Sequence, residues 1–129
     1  MKRILYIMVL TLGLVGILVG CSNNPKSIEQ KLTLGSYVME AESADALKPF
    51  LILKEDNEFS FTYSYLSSYW PVGLYIEEGN ILTLNTSDGK YKYVFKIENN
   101  ALIFNSNESA EIPIYAEVPD GAIFSFNKD

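Results

Sequence analysis

Apolar and polar residues alternate along much of this chain with the period of two that marks half-buried β-strands. Residues 58–65 show it most cleanly: Phe59, Phe61, Tyr63 and Tyr65 take one face, Ser60, Thr62 and Ser64 the other. Residues 91–97 repeat the scheme, with Tyr91, Tyr93, Phe95 and Ile97 expected inward and Lys92 and Lys96 outward. Residues 72–77 are a third case and 122–126 a weaker fourth. Turn signals separate these runs: Glu55-Asp56-Asn57, Gly79-Asn80, Asp88-Gly89, Asn99-Asn100 and Asp120-Gly121. Asn and Gly supply the positive φ that tight hairpins require. The spacing predicts eight strands over 36–40, 50–54, 58–65, 72–77, 81–84, 91–97, 102–105 and 122–126. Short connections make them an antiparallel meander, and closing it into a small all-β barrel removes edges that would otherwise invite aggregation. Two connections are longer. Residues 41–49 have room for one helical turn, and 106–119, with Pro113 and Pro119, form a loop with room for a short helix at its start.

The N-terminus follows a different plan. Lys2-Arg3 precedes an uncharged run from Ile4 to Val19, then Gly20 and the sole cysteine, Cys21. Basic start, apolar stretch, small residue and cut form the pattern of an export signal. The alternative is an uncleaved transmembrane helix, for which 4–20 is at the short edge of the roughly 17–25 residues that span a bilayer. A plain anchor gives no reason for a cysteine directly after Val19-Gly20. Leu18-Val19-Gly20-Cys21 resembles the lipobox of bacterial lipoproteins. The resemblance implies cleavage between Gly20 and Cys21, a diacylglycerol (and palmitate-type acyl chains) on the Cys21 thiol, and anchorage on the extracytoplasmic face of the cell membrane. Two acyl chains are what stable anchoring requires. The expected division is a signal peptide over 1–20, lipidated cysteine and polar tether over 21–33, and barrel domain over 34–129. Residues 28–32 of the tether have room for a weak helical turn.

Cleavage takes the ten basic residues to eight against sixteen acidic ones, so the net charge moves from −6 to −8. Such a surface repels nucleic acid and favours cationic partners or simple solubility. The chain has no histidine, and Cys21 is committed to lipid. That removes the usual base near neutral pH and the commonest zinc ligands. Ser-x-x-Lys occurs at Ser87–Lys90 and Ser125–Lys128, one in a hairpin turn and one at the C-terminus, without the companion motifs of enzymes that use it. Glu77-Glu78 and the cluster Glu55, Asp56, Glu58 read as solvated hairpin tips, since adjacent strand residues face opposite ways and the cluster lacks EF-hand spacing. No enzyme activity, metal or cofactor is expected.

The densest aromatic segment is 63–71. Alternation assigns Tyr63 and Tyr65 to the core. Tyr69 and Trp70 break it between Ser67-Ser68 and Pro71, which makes them the candidate binding rim. Their other reading is a cover over one end of the barrel.

Several stretches together resemble small lipocalin-like lipoproteins of Gram-positive bacteria, whose domain also occurs as an extracellular module of other proteins. They are Gly35-Ser36-Tyr37-Val38, Leu51-Ile52-Leu53-Lys54-Glu55-Asp56-Asn57-Glu58-Phe59-Ser60-Phe61, Leu66-Ser67-Ser68-Tyr69, Gly73-Leu74-Tyr75, Asn80-Ile81-Leu82-Thr83-Leu84, Asp88-Gly89-Lys90-Tyr91 and Val118-Pro119-Asp120-Gly121-Ala122-Ile123-Phe124. The resemblance implies a lipocalin-like barrel and no particular activity. Three functions compete: a binding module for a protein or a small apolar ligand, an acidic inhibitor of a cationic wall-degrading or other envelope enzyme, and a structural accessory domain without a ligand. An eight-stranded barrel either is just filled by side chains or holds one small ligand. The inward aromatics favour filling.

Overall fold

The strand that carries the cleanest alternation is also the one that fills the barrel's centre. The computed structural model describes residues 32–42 and 47–128. Eight strands follow in chain order: β1 Gly35–Met39, β2 Phe50–Leu53, β3 Glu58–Thr62, β4 Val72–Glu78, β5 Ile81–Thr86, β6 Lys92–Glu98, β7 Ala101–Asn105 and β8 Ile123–Asn127. Each pairs antiparallel with its sequence neighbour, and β1 pairs β8, with Ser36 opposite Asn127 and Met39 opposite Phe124. The expected antiparallel meander is therefore a closed eight-stranded barrel. The lipobox, the signal peptide, Cys21 and the tether up to Lys31 lie outside the described residues, as does the middle of the 41–49 connection.

Inward positions are occupied by rings and leucines. Phe61 is fully buried at the centre, with ring centroids at 5.3 Å from Tyr93, 5.8 Å from Phe95 and 6.0 Å from Phe124, all edge-on. Edge-to-face pairs suit the quadrupole of aromatic rings. Tyr37, Phe59, Leu51, Leu82 and Leu102 complete the packed interior. Tyr37 donates a 2.6 Å hydrogen bond to the Thr33 carbonyl, and burial pushes its hydroxyl up to about 12. This barrel is filled.

Its two ends differ. At one end the links are tight: Glu55–Asn57 forms a single 3-10 turn, Gly79 takes φ 60° between paired Glu78 and Ile81, and Asn99 and Asn100 take φ 50° and 61° between paired Glu98 and Ala101. Two consecutive left-handed residues make a hairpin link whose twist matches the strands. Leu32, buried, packs into the core at this end, its N–H 3.5 Å from the Glu77 carboxylate. The other end carries the β1–β2, β3–β4, β5–β6 and β7–β8 connections. The last holds 3-10 turns at Ser106–Glu108, its expected position, and at Ile114–Ala116.

Two facing assignments are corrected. Tyr65, expected inward, is 50% exposed. Strand β3 stops at Thr62, and beyond it the Leu66 N–H donates to Ser64 Oγ at 3.1 Å, so a turn replaces the alternation. Tyr91, also expected inward, is 41% exposed and precedes β6. Its N–H donates to Thr86 Oγ1 and its carbonyl accepts from the Thr86 N–H, which closes the β5–β6 hairpin above the rim, where no opposite wall covers the ring.

Strand β4 inverts the usual pattern. Gly73 and Tyr75 face in, while Val72, Leu74 and Ile76 face out and are about half exposed. A Cβ built on Gly73 would lie 2.0 Å from the Asn85 carbonyl oxygen, so β4 and β5 approach too closely there for any side chain. The close approach fixes which face of β4 is inside.

Candidate functional site

The four connections at the open end bring together chemistry that no single stretch of sequence contains. Between the β1–β2, β3–β4 and β7–β8 connections lies a cleft of about 240 Å³. Met39, Pro49 and Tyr63, all buried, form its floor; Tyr65, Leu66 and Tyr115 form exposed walls. Lys48, Ser64 and Glu117 supply its polar lining. Tyr65 is braced against Phe50, ring centroids 6.0 Å apart. Glu117 ends the Ile114–Ala116 turn in the left-handed region, φ 51° and ψ 43°, a conformation that side chains other than those of Gly and Asn adopt at a cost of roughly 1–3 kcal/mol.

The structure separates Tyr69 from Trp70, and neither lines the cleft. Tyr69 is half-buried. Its hydroxyl donates to Asp88 Oδ2 at 2.8 Å, its N–H to Ser67 Oγ at 3.1 Å, and its ring meets Tyr91 edge-on at 5.3 Å. It ties the β3–β4 connection to the β5–β6 hairpin, which is the covering arrangement. Trp70 is 69% exposed and available for contact. The residues that do line the cleft, Tyr65, Leu66 and Tyr115, were not expected there. One signal was present in the sequence: Leu66 and Ile114-Tyr115 are large apolar residues in loops, outside any strand period.

Asp88 accepts from the Thr86 hydroxyl at 2.6 Å, from the Lys90 N–H at 3.0 Å and from Tyr69. These bonds, that from Thr86 foremost, hold its carboxyl below the ordinary range. A depressed folded-state value means that the stabilisation is present above the unfolded value near 3.9 and is lost as pH falls through the folded one. Asp88→Asn should therefore melt below the wild type at neutral pH and converge with it in strong acid. Urea midpoints across that range are the check; a constant difference at every pH would contradict it. Asp120 is lowered in the same direction by the Ser106 N–H.

Comparison with known proteins returns a plain result. The chain matches no protein-family model, no curated protein and no solved structure. What stands is the geometry: a closed barrel with a packed aromatic interior and a cleft at its loop end. Gly20 and Cys21, the expected cleavage and lipidation positions, lie outside the described residues.

Proposed function

We propose that this protein is an extracytoplasmic lipoprotein, held on the membrane through lipid on Cys21, whose lipocalin-like barrel binds a protein partner at its loop end rather than transforming a substrate. One observation carries the binding half. Rings fill the interior, while Leu47, Tyr65, Leu66, Trp70, Ile114 and Tyr115 are left exposed on the connections at one end. Leu66 and Ile114 are 81% and 94% exposed, which in a folded domain is a cost unless something covers them. A cleft of about 240 Å³ also falls below the roughly 300–1,000 Å³ of small-molecule sites, so it suits a single anchoring side chain of a larger partner.

The anchoring half rests on Leu18-Val19-Gly20-Cys21 and on the resemblance to small lipocalin-like lipoproteins. Ser22 to Lys31 reaches at most about 35 Å when extended, at 3.3–3.6 Å per residue. The chain joins the barrel at Leu32, on the tight-turn end. On this reading the loop end points away from the lipid, towards the envelope. Nucleic acid is not a partner of so acidic a surface.

The test combines mass and crosslinking. Membrane-extracted protein should carry acyl mass on a chain beginning at Cys21, and Cys21→Ser should leave the precursor uncut and unlipidated. A photo-crosslinker placed at Leu66 should capture a protein in native envelopes, one placed at Asn99 should not, and Tyr115→Ala should abolish the capture. An unacylated mature chain would overturn the anchoring half. Absence of capture from Leu66 would leave the structural accessory reading in place of the binding one.

A further inference from the structure

We infer that the occupant of the loop-end cleft is a cationic polypeptide segment, which seats one apolar side chain between Tyr65, Leu66 and Tyr115 and places flanking lysines or arginines against the surrounding carboxylates. The inference rests on the binding reading above and goes further by naming the partner's chemistry. Its basis is the arrangement of charge around the apolar walls. Glu40 and Glu42 flank Ala41, Glu117 follows Ala116 on the opposite connection, and Lys48 is the lone ammonium among the described lining residues. The three carboxylates outnumber that amine on an exposed rim, so an acidic or neutral segment would gain nothing from them while a basic one would be attracted.

The carboxylates are also held in place. Glu40 accepts from the Ser125 hydroxyl at 2.5 Å, which fixes it to β8 beside the cleft, and the left-handed backbone at Glu117 sets the course of the chain where it lines the cleft. Elsewhere on the loop end Asp88 and Asp120 are kept ionised by their hydrogen bonds, so the field around the site is negative well below neutral pH. An apolar centre with a charged rim is the usual division of labour at an interface: the centre supplies affinity, while the rim steers and selects. The steering acts over a Debye length of about 8 Å at physiological salt, enough to reach lysines on either side of a seated anchor.

The probe is a short synthetic peptide with one central leucine flanked by lysines. One twin has alanine at the centre, and another has glutamates in place of the lysines. Binding to the full-length membrane-extracted protein in detergent would be read by fluorescence anisotropy. The lysine–leucine peptide should bind about tenfold or more tighter than either twin, the size of one well-seated anchor or of a steered interface. Molar salt, which shortens the Debye length to about 3 Å, should remove most of its advantage over the glutamate twin. Glu40→Gln with Glu117→Gln should weaken binding by a comparable factor without lowering the thermal midpoint, because both substitutions are isosteric and exposed. Leu74→Ala, on the outer face of β4, should leave binding unchanged. Equal binding of the lysine and glutamate peptides, or full affinity in the double glutamine variant, would overturn the inference. If the Leu66 crosslinker still captures an envelope protein in that case, the binding reading survives with a partner of different chemistry. If it captures nothing, both fall.

Discussion

Phe61→Ala is expected to destabilise the domain by about 3–5 kcal/mol, the cost of deleting a buried aromatic and leaving a cavity. The upper end of that range is the expectation, because Phe61 has no solvent contact and its ring meets those of Tyr63, Tyr93, Phe95 and Phe124 edge-on. Its neighbours sit on four different strands, whose backbones are laced into a closed sheet and cannot collapse into the gap. Ser60→Ala, one residue earlier and on the outer face, should change stability by no more than about 0.5 kcal/mol. Urea midpoints of the two variants decide the matter; equal values would mean that the interior is not organised around this ring.

Gly73→Ala should be as damaging by the opposite route. An added methyl would meet the Asn85 carbonyl oxygen at 2.0 Å, the Ser87 nitrogen at 2.9 Å and the Thr86 Cα at 3.0 Å. All three are backbone atoms, so no rotamer change relieves the collision. Strand β5 must move away from β4, and the bond from the Ser87 N–H to the Val72 carbonyl goes with it. Overpacking usually costs about 1–3 kcal/mol. Here the displaced backbone raises the expectation to about 3 kcal/mol or more, which circular dichroism melts would register as a large fall in midpoint or as failure to fold. A variant with a wild-type melt would show that the two strands are not in such close contact.

The parts of this fold that can be read from sequence are those set by local chemistry. Asn99-Asn100 and Gly79-Asn80 declare hairpin links because few other residues tolerate a positive φ, and alternation within 58–62 and 93–97 places the core rings correctly. Legibility stops at the rim. Tyr65 and Tyr91 continue an alternating pattern in sequence, but the sheet ends at Thr62 and begins again at Lys92, and a side chain beyond the last strand pair has no wall to face. The inverted face of β4 is hidden for another reason. Val72, Leu74 and Ile76 look like a core face, and only the close packing around Gly73 shows that the other face is inside. The cleft was beyond reach because Leu47, Tyr65 and Tyr115 come from three connections far apart in the chain. Tyr69 and Trp70 mark the right end of the barrel, yet one braces a hairpin and the other stands apart from the cleft.

Closure of the barrel does not mean that it is evenly laced. Strand β3 meets β4 only over Glu58–Ser60, and β7 meets β8 only over Ala101–Ile103, whereas β4 and β5 run together from Gly73 to Glu78. The sheet is thus two panels, β4 to β7 and β8 to β3, joined along two short seams. Both seams run up into the long connections that form the cleft. Widening them slightly would part Tyr65 and Leu66 from β4, or Tyr115 from β7, without unpicking either panel. Amide protons along these seams are the ones that solvent reaches first, and the breathing they report is motion of the cleft's own walls.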